Sequence, residues 1–202
     1  MGGMSLMESS MARDALSELV NIGSGNAITS LTRLLGRGRV DMSLPEVMSG
    51  DEILDLRDLA SQGVVVSLAV EGSMSLSFLV LFDTDSAKML AGALAGGTPV
   101  EVGAFEQSAL VEAVNIISCS FLGALASMVK GVLVPHAPQS HRGRLKDVVA
   151  SAVTAPGLIA LTNQFVETES GVRGRILMLA DSGAATRMLK AIGVEVVAAQ
   201  PA

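Results

Sequence analysis

What most constrains this chain is that its pattern occurs twice. Two long segments of helical periodicity, Ala12 to Leu35 and Phe105 to Lys130, are each followed by a pair of strand-like runs and then by a short closing helix. In the first segment Leu16, Leu19, Val20, Ala27, Ile28, Leu31, Leu34 and Leu35 return to one face, and in the second Leu110, Val114, Ile117, Phe121, Leu125 and Met128 do the same. Gly36 and Gly131 come directly after these segments, where a left-handed helix stop is expected.

The strand-like runs are Val64 to Val70 with Leu76 to Phe82, and Gly157 to Val166 with Arg173 to Leu179. Turn residues separate each pair: Glu71-Gly72-Ser73 in the first, Glu169-Ser170-Gly171 in the second. The closing helices start at Asp83 and Asp181, whose carboxylates suit the free amides of a first helical turn. Two such units bury their strands best in one sheet with both long helices on one face. The expectation is a two-layer α+β domain with pseudo-twofold symmetry, spanning residues 11–193 as repeats of about 11–95 and 104–193. The small-residue segment from Gly92 to Gly103 joins them.

Composition narrows the function. Half of the 202 residues are hydrophobic and 17% are charged, which is the balance of a chain with a core rather than a disordered one. The net charge of −6 and the five Phe, without Trp or Tyr, oppose nucleic-acid binding, which needs clustered cations and stacking rings. The same charge opposes an anionic membrane surface. No signal-like N-terminal segment is read, and the longest apolar runs, such as Phe78 to Phe82, are far below the ~20 residues that span a bilayer. With a single cysteine the expected location is cytoplasmic.

The chemistry-bearing residues also come in pairs. Asp14, Glu18 and Asn21 in the first long helix match Ser108, Glu112 and Asn115 in the second, each displaced by 94 positions. Steps of four and three residues keep each set on one helix face. A carboxylate beside a carboxamide offers a charged docking group and a neutral donor–acceptor able to aim a water. Asn is also a poor helix former, so its place in mid-helix twice calls for a reason. Small residues follow each set, Gly23-Ser24-Gly25 and Ser118-Cys119-Ser120, and fit either close approach of another backbone or tight packing between the helices. Cys119 reads as a small buried side chain. His136 and His141, within PHAPQSHRGR, read as solvated loop residues, and the pairs Arg37 with Arg39 and Arg142 with Arg144 as surface loops. No phosphate-binding loop of the G-x-x-x-x-G-K-[ST] type and no metal-ligand spacing occurs, so no cofactor or metal of its own is expected.

On these residues the chain resembles the CheC, CheX and FliY phosphatases of bacterial and archaeal chemotaxis. The family pattern is Asp or Ser, three residues, Glu, two residues, Asn, then about 22 residues and a Pro. Ser108, Glu112, Asn115 and Pro138 fit it with 22 intervening residues; Asp14, Glu18, Asn21 and Pro45 fit it with 23. The stretch Glu18 to Ala27, ELVNIGSGNA, also resembles the start of a CheC protein. Two motifs point to CheC rather than CheX, and no residues remain after the second repeat for the switch domain of a FliY protein.

The resemblance implies a phosphatase acting on the aspartyl phosphate of the response regulator CheY. Asn21 and Asn115 would orient the attacking water, and Glu18 and Glu112 would dock to the receiver's active-site Lys. Asp14 and Ser108 would support the Glu or the interface, and Pro45 and Pro138 would shape a loop rather than touch phosphorus. Magnesium would come with the receiver. The alternative that the resemblance offers is an adaptor, with little or no enzymatic activity, binding the receptor deamidase CheD and phosphorylated CheY.

Overall fold

The computed structural model describes residues 6, 7, 9–36 and 38–195; Arg37, expected on a surface loop, lies outside them. The first long helix, α1, spans Ser10–Leu35 and the second, α3, spans Ala104–Met128. Ser9 caps α1 by accepting from the amide of Ala12, and Gly36 ends it in the left-handed conformation at φ 66. At the end of α3 the left-handed residue is Lys130 (φ 49) rather than Gly131. Gly131 answers a different need: a Cβ there would stand 2.8 Å from the Ser73 hydroxyl oxygen.

Among the described residues eight strands form one antiparallel sheet: β1 Val40–Met42, β2 Glu46–Ser49, β3 Gln62–Gly72, β4 Leu76–Asp83, β5 Leu133–Pro135, β6 Gln139–Arg144, β7 Ile159–Glu167 and β8 Arg173–Ala180. The order β1-β7-β8-β4-β3-β5 has β2 also paired with β7, and β6 with β3. This order reads the same from both ends once the copies are matched, β1 with β5, β2 with β6, β3 with β7 and β4 with β8. The closing helices are α2 (Thr84–Leu94) and α5 (Ser182–Ala191). Their caps repeat as well: Asp83 accepts from the Ser86 amide at 2.7 Å and Asp181 from the Ala184 amide at 2.6 Å.

The register locates the symmetry axis. Asp83 and Asp181, which do the same job, are 98 positions apart. In the β4–β8 ladder only a residue lying on the axis can face its own counterpart, and Leu79 faces Leu177, also 98 positions away. The twofold passes between these two leucines.

Side chains alternate across β4. Phe78, Val80 and Phe82 point to the large core beneath α1 and α3, while Leu79 and Leu81 point to a second core on the opposite face. Burial on both faces is why the strand reads as a near-continuous apolar run. The second core is covered by α4 (Leu145–Ala152) and by two single 3-10 turns, Glu52–Asp55 and Arg57–Ala60.

Two expectations are corrected here. The segment holding His141 is a strand, β6, with His141 opposite Val65, and Arg142 and Arg144 lie on the same strand; its polar sequence reflects an edge that faces solvent. His136 is where it was expected, exposed in the loop after β5, and its Nε2 stands 3.2 Å from a Glu71 carboxylate oxygen. Finally, α3 is one helix long and apolar enough to cross a membrane by length and composition. The polar residues Ser108, Glu112 and Asn115 broke up the run in the linear reading. In the fold its apolar side serves the core, with Leu110, Val114, Ile117, Phe121 and Leu125 at 1% exposure or less.

Candidate functional site

The two long helices bury the same register. Leu16, Leu19, Val20, Gly23, Ser24, Ala27, Ile28 and Leu31 in α1 have buried counterparts 94 positions later in Leu110, Ala113, Val114, Ile117, Ser118, Phe121, Leu122 and Leu125. Each set lies toward the sheet and the other helix, so the opposite face of each helix is turned outward. Asp14, Glu18, Asn21, Ser108 and Glu112 are exposed on that face, and Asn115 is half-buried.

The exposed groups are left open by the chain itself. Among the described residues, Asp14, Glu18, Asn21 and Glu112 have no hydrogen bond or ion pair from their side chains. Ser108 donates its hydroxyl back to the Ala104 carbonyl at 3.0 Å. The two amides differ in one respect. Asn115 has the Cys119 thiol 3.9 Å from its Oδ1, a long, weak contact, whereas Gly25 occupies the matching place beside Asn21. Cys119 is therefore exposed rather than buried, because the position seven residues beyond Glu112 is on the outward face.

The small residues after each motif settle into packing roles. A Cβ on Gly23 would meet the Phe121 ring at 2.8 Å, so the glycine lets α3 close on α1. Phe121 in turn packs against Phe78, with ring centroids 5.0 Å apart and planes tilted by 55°. Ser24 donates to the buried Asn163 Oδ1 at 3.1 Å, and Ser30 and Ser120 share a hydrogen bond of 2.6 Å between the helices. Gly25, by contrast, faces open space.

Both prolines sit directly before a strand, Pro45 before β2 and Pro138 before β6, and both are half-buried. The extra residue in the first copy is taken up before β1: Val40 and Leu133, which open β1 and β5, are already 93 positions apart, as the prolines are. The proline geometry is thus common to the two copies.

A pair of residues not singled out in the sequence fixes the start of each helix against the strand after its proline. Arg13 Nη2 donates to the Val47 carbonyl at 3.2 Å. Its counterpart Gln107 donates from Nε2 to the Ser140 hydroxyl. Arg13 and Gln107 are 94 positions apart and Val47 and Ser140 are 93, so one tie is made twice. The signal was legible, since Arg13 and Gln107 immediately precede Asp14 and Ser108; but unlike residues at matching positions do not look like a motif.

In the first copy Asp14 and Pro45 come together along a groove of about 820 Å³, which Arg13, Glu46, Met48 and Glu52 also line. Glu52 accepts from the Ser49 amide at 2.7 Å, and its carboxyl is held below the usual range by the backbone and then the side-chain hydrogen bond with Ser49. Glu18 and Asn21 lie outside this lining, farther along α1. Among the described residues no group of three or more His, Cys, Asp or Glu could hold a metal ion.

The chain is similar to known proteins in sequence and in fold. Residues 11–49, which contain the first Asp–Glu–Asn set and Pro45, match the family described as CheC-like. The chain is 26% identical over 195 residues to the CheY-P phosphatase CheC of Bacillus subtilis, an alignment covering 89% of this chain and 93% of that protein. The fold is that of the crystal structure of Thermotoga maritima FliY, with a TM-score of 0.74, 16% identity, and coverage of 91% of this chain and 96% of that one. The CheX–CheY–BeF3–Mg complex of Borrelia burgdorferi is also similar, at a TM-score of 0.53, 16% identity, and coverage of 80% of this chain and 96% of that one. The likeness to CheC proteins is carried by the sequence, and the solved structures share the fold.

Proposed function

We propose that this protein is a cytoplasmic phosphatase for the aspartyl phosphate of the response regulator CheY, with two sites related by the internal twofold. The observation that carries this reading is that both Glu–Asn pairs stand on the outward faces of α1 and α3. Glu18, Asn21 and Glu112 are without intramolecular partners among the described residues. The name of the Bacillus subtilis relative, a CheY-P phosphatase, supports the same substrate, and the Borrelia burgdorferi complex supports a CheY receiver as partner.

In this reading the Asn21 or Asn115 amide enters the receiver's phosphorylated pocket. Its carbonyl oxygen accepts from a water, turning a water lone pair toward phosphorus in line with the bond to the receiver's aspartate. As the water oxygen bonds to phosphorus, the acyl P–O bond breaks, leaving a free carboxylate and inorganic phosphate. Phosphoryl transfer of this kind depends mainly on positioning and on electrostatic stabilisation, so a neutral amide suffices. Magnesium brought by the receiver would supply the charge that offsets the phosphoryl oxygens. Glu18 and Glu112 pair with the receiver's Lys and set the depth of insertion. Asp14 and Ser108, one turn earlier, support that interface, and Pro45 and Pro138 hold the chain entering β2 and β6.

The test is the decay of phosphorylated CheY with magnesium and purified protein. Acceleration over intrinsic decay is expected. Replacing Asn21→Ala and Asn115→Ala together should remove it, a loss of about 100-fold or more. Full activity in the double variant would remove the amides from the mechanism. Binding of phosphorylated CheY with no acceleration in the unaltered protein would instead favour an adaptor role, to be examined with CheD.

A further inference from the structure

Four of the five phenylalanines are sealed in the core, Phe78, Phe82 and Phe121 at 0% exposure and Phe165 at 2%. The fifth, Phe105, is 76% exposed in the first turn of α3. Its counterpart 94 positions earlier is Met11, 60% exposed in the first turn of α1. A lone exposed apolar side chain needs no explanation. Here the same class of residue is exposed at the same place in both copies, although the neighbours have diverged: Ser10, Ala12 and Arg13 in one, Ala104, Glu106 and Gln107 in the other.

The placement is functional in direction. Met11 lies seven residues before Glu18, and Phe105 seven before Glu112. Seven residues bring a helix to within about 20° of its starting direction and advance it about 10 Å. Each apolar side chain therefore shares the outward stripe with its carboxylate and extends it toward the helix N-terminus. Asp14, Glu18 and Glu112 have no cation of their own among the described residues, so all three are open to a cation on the partner.

We infer that Met11 and Phe105 are apolar anchors of two equivalent docking surfaces, each seating on an apolar patch of the phosphorylated receiver about 10 Å from the cation that meets Glu18 or Glu112. This rests on reading the two stripes as the phosphatase sites. Large apolar anchors beside a charged contact carry a disproportionate share of binding. They contribute to capture and not to the aim of the water.

The test compares the unaltered protein with the double variant Met11→Ser, Phe105→Ser and with the conservative variant Phe105→Leu. The readouts are Kd for the magnesium- and beryllofluoride-bound receiver, KM and kcat for its phosphorylated form, and the thermal midpoint and sedimentation-determined self-association of each protein. The double variant should raise Kd and KM roughly tenfold with kcat and midpoint unchanged, and Phe105→Leu should stay near the unaltered value. Kd and KM within twofold of the unaltered protein would overturn the anchors while leaving the phosphatase reading intact. Receiver binding unchanged together with loss of self-association would assign the residues to a contact between copies of this chain, and also overturns the inference. If the unaltered protein neither binds nor hydrolyses the receiver, the phosphatase reading falls and the anchors fall with it.

Discussion

At the residue scale, the decisive property is the direction in which four side chains leave two helices. Glu18 and Glu112 are exposed and unpaired within the described chain, so their charge is available to a partner. Exposed charges at a contact act chiefly on association and on its salt dependence. Reversing both, Glu18→Lys with Glu112→Lys, should therefore raise KM for phosphorylated CheY at least tenfold at low ionic strength and weaken or invert the effect of added salt on it. Steady-state kinetics at two salt concentrations checks this. These residues were readable beforehand, because a set displaced intact by 94 positions stands out in the sequence. The exposure of Cys119 was not, since whether a small side chain faces core or solvent depends on how the helix is rotated against the sheet.

At the element scale, α1 and α3 are alike in register and unlike in filling. Gly23 opposes Phe121, one copy supplying the hollow and the other the ring. Alanine at Gly23 gains about 1 kcal/mol of helix propensity, but it presses on a ring that is fully buried and packed against Phe78. Overpacking of this kind costs about 1–3 kcal/mol, so Gly23→Ala is expected to be destabilising by about 1 kcal/mol net. Gly25→Ala, two residues on and in open space, should stabilise by about 1 kcal/mol. Opposite shifts of the denaturation midpoint for these neighbouring substitutions would verify the packing. The sequence offered both glycines as candidates for close approach; only the facing helix separates them. The edge strands β5 and β6 and helix α4 were hidden for a related reason: segments this short gain their structure from a neighbour rather than from their own periodicity.

At the scale of the whole molecule, the two copies are interlocked. The outer strands of the first copy, β1 and β2, pair with β7 of the second, and β5 and β6 of the second pair with β3 of the first. The β4–β8 ladder joins the copies through the centre of the sheet, and α1 packs on α3 above it. Neither half can close its sheet or cover its core alone. Fragments 11–95 and 104–193 prepared separately should lack cooperative unfolding, and mixing them should restore helical and sheet signals in circular dichroism. A cooperative thermal transition in either isolated half would contradict this.

The sequence by itself determined the duplication, the long helices, the four central strands, the capped closing helices and the Asp/Ser–Glu–Asn sets, because each is written in local spacing: periods of 3.6 and 2, a cap residue before a turn, a motif repeated at a fixed interval. Tertiary structure alone decided the exchange of edge strands, the second core beneath α4, the helix contact at Gly23 and Phe121, and the outward placement of Met11 and Phe105. These depend on which distant surfaces compete for burial, and in a sheet closed by two copies that competition is settled only when both are present.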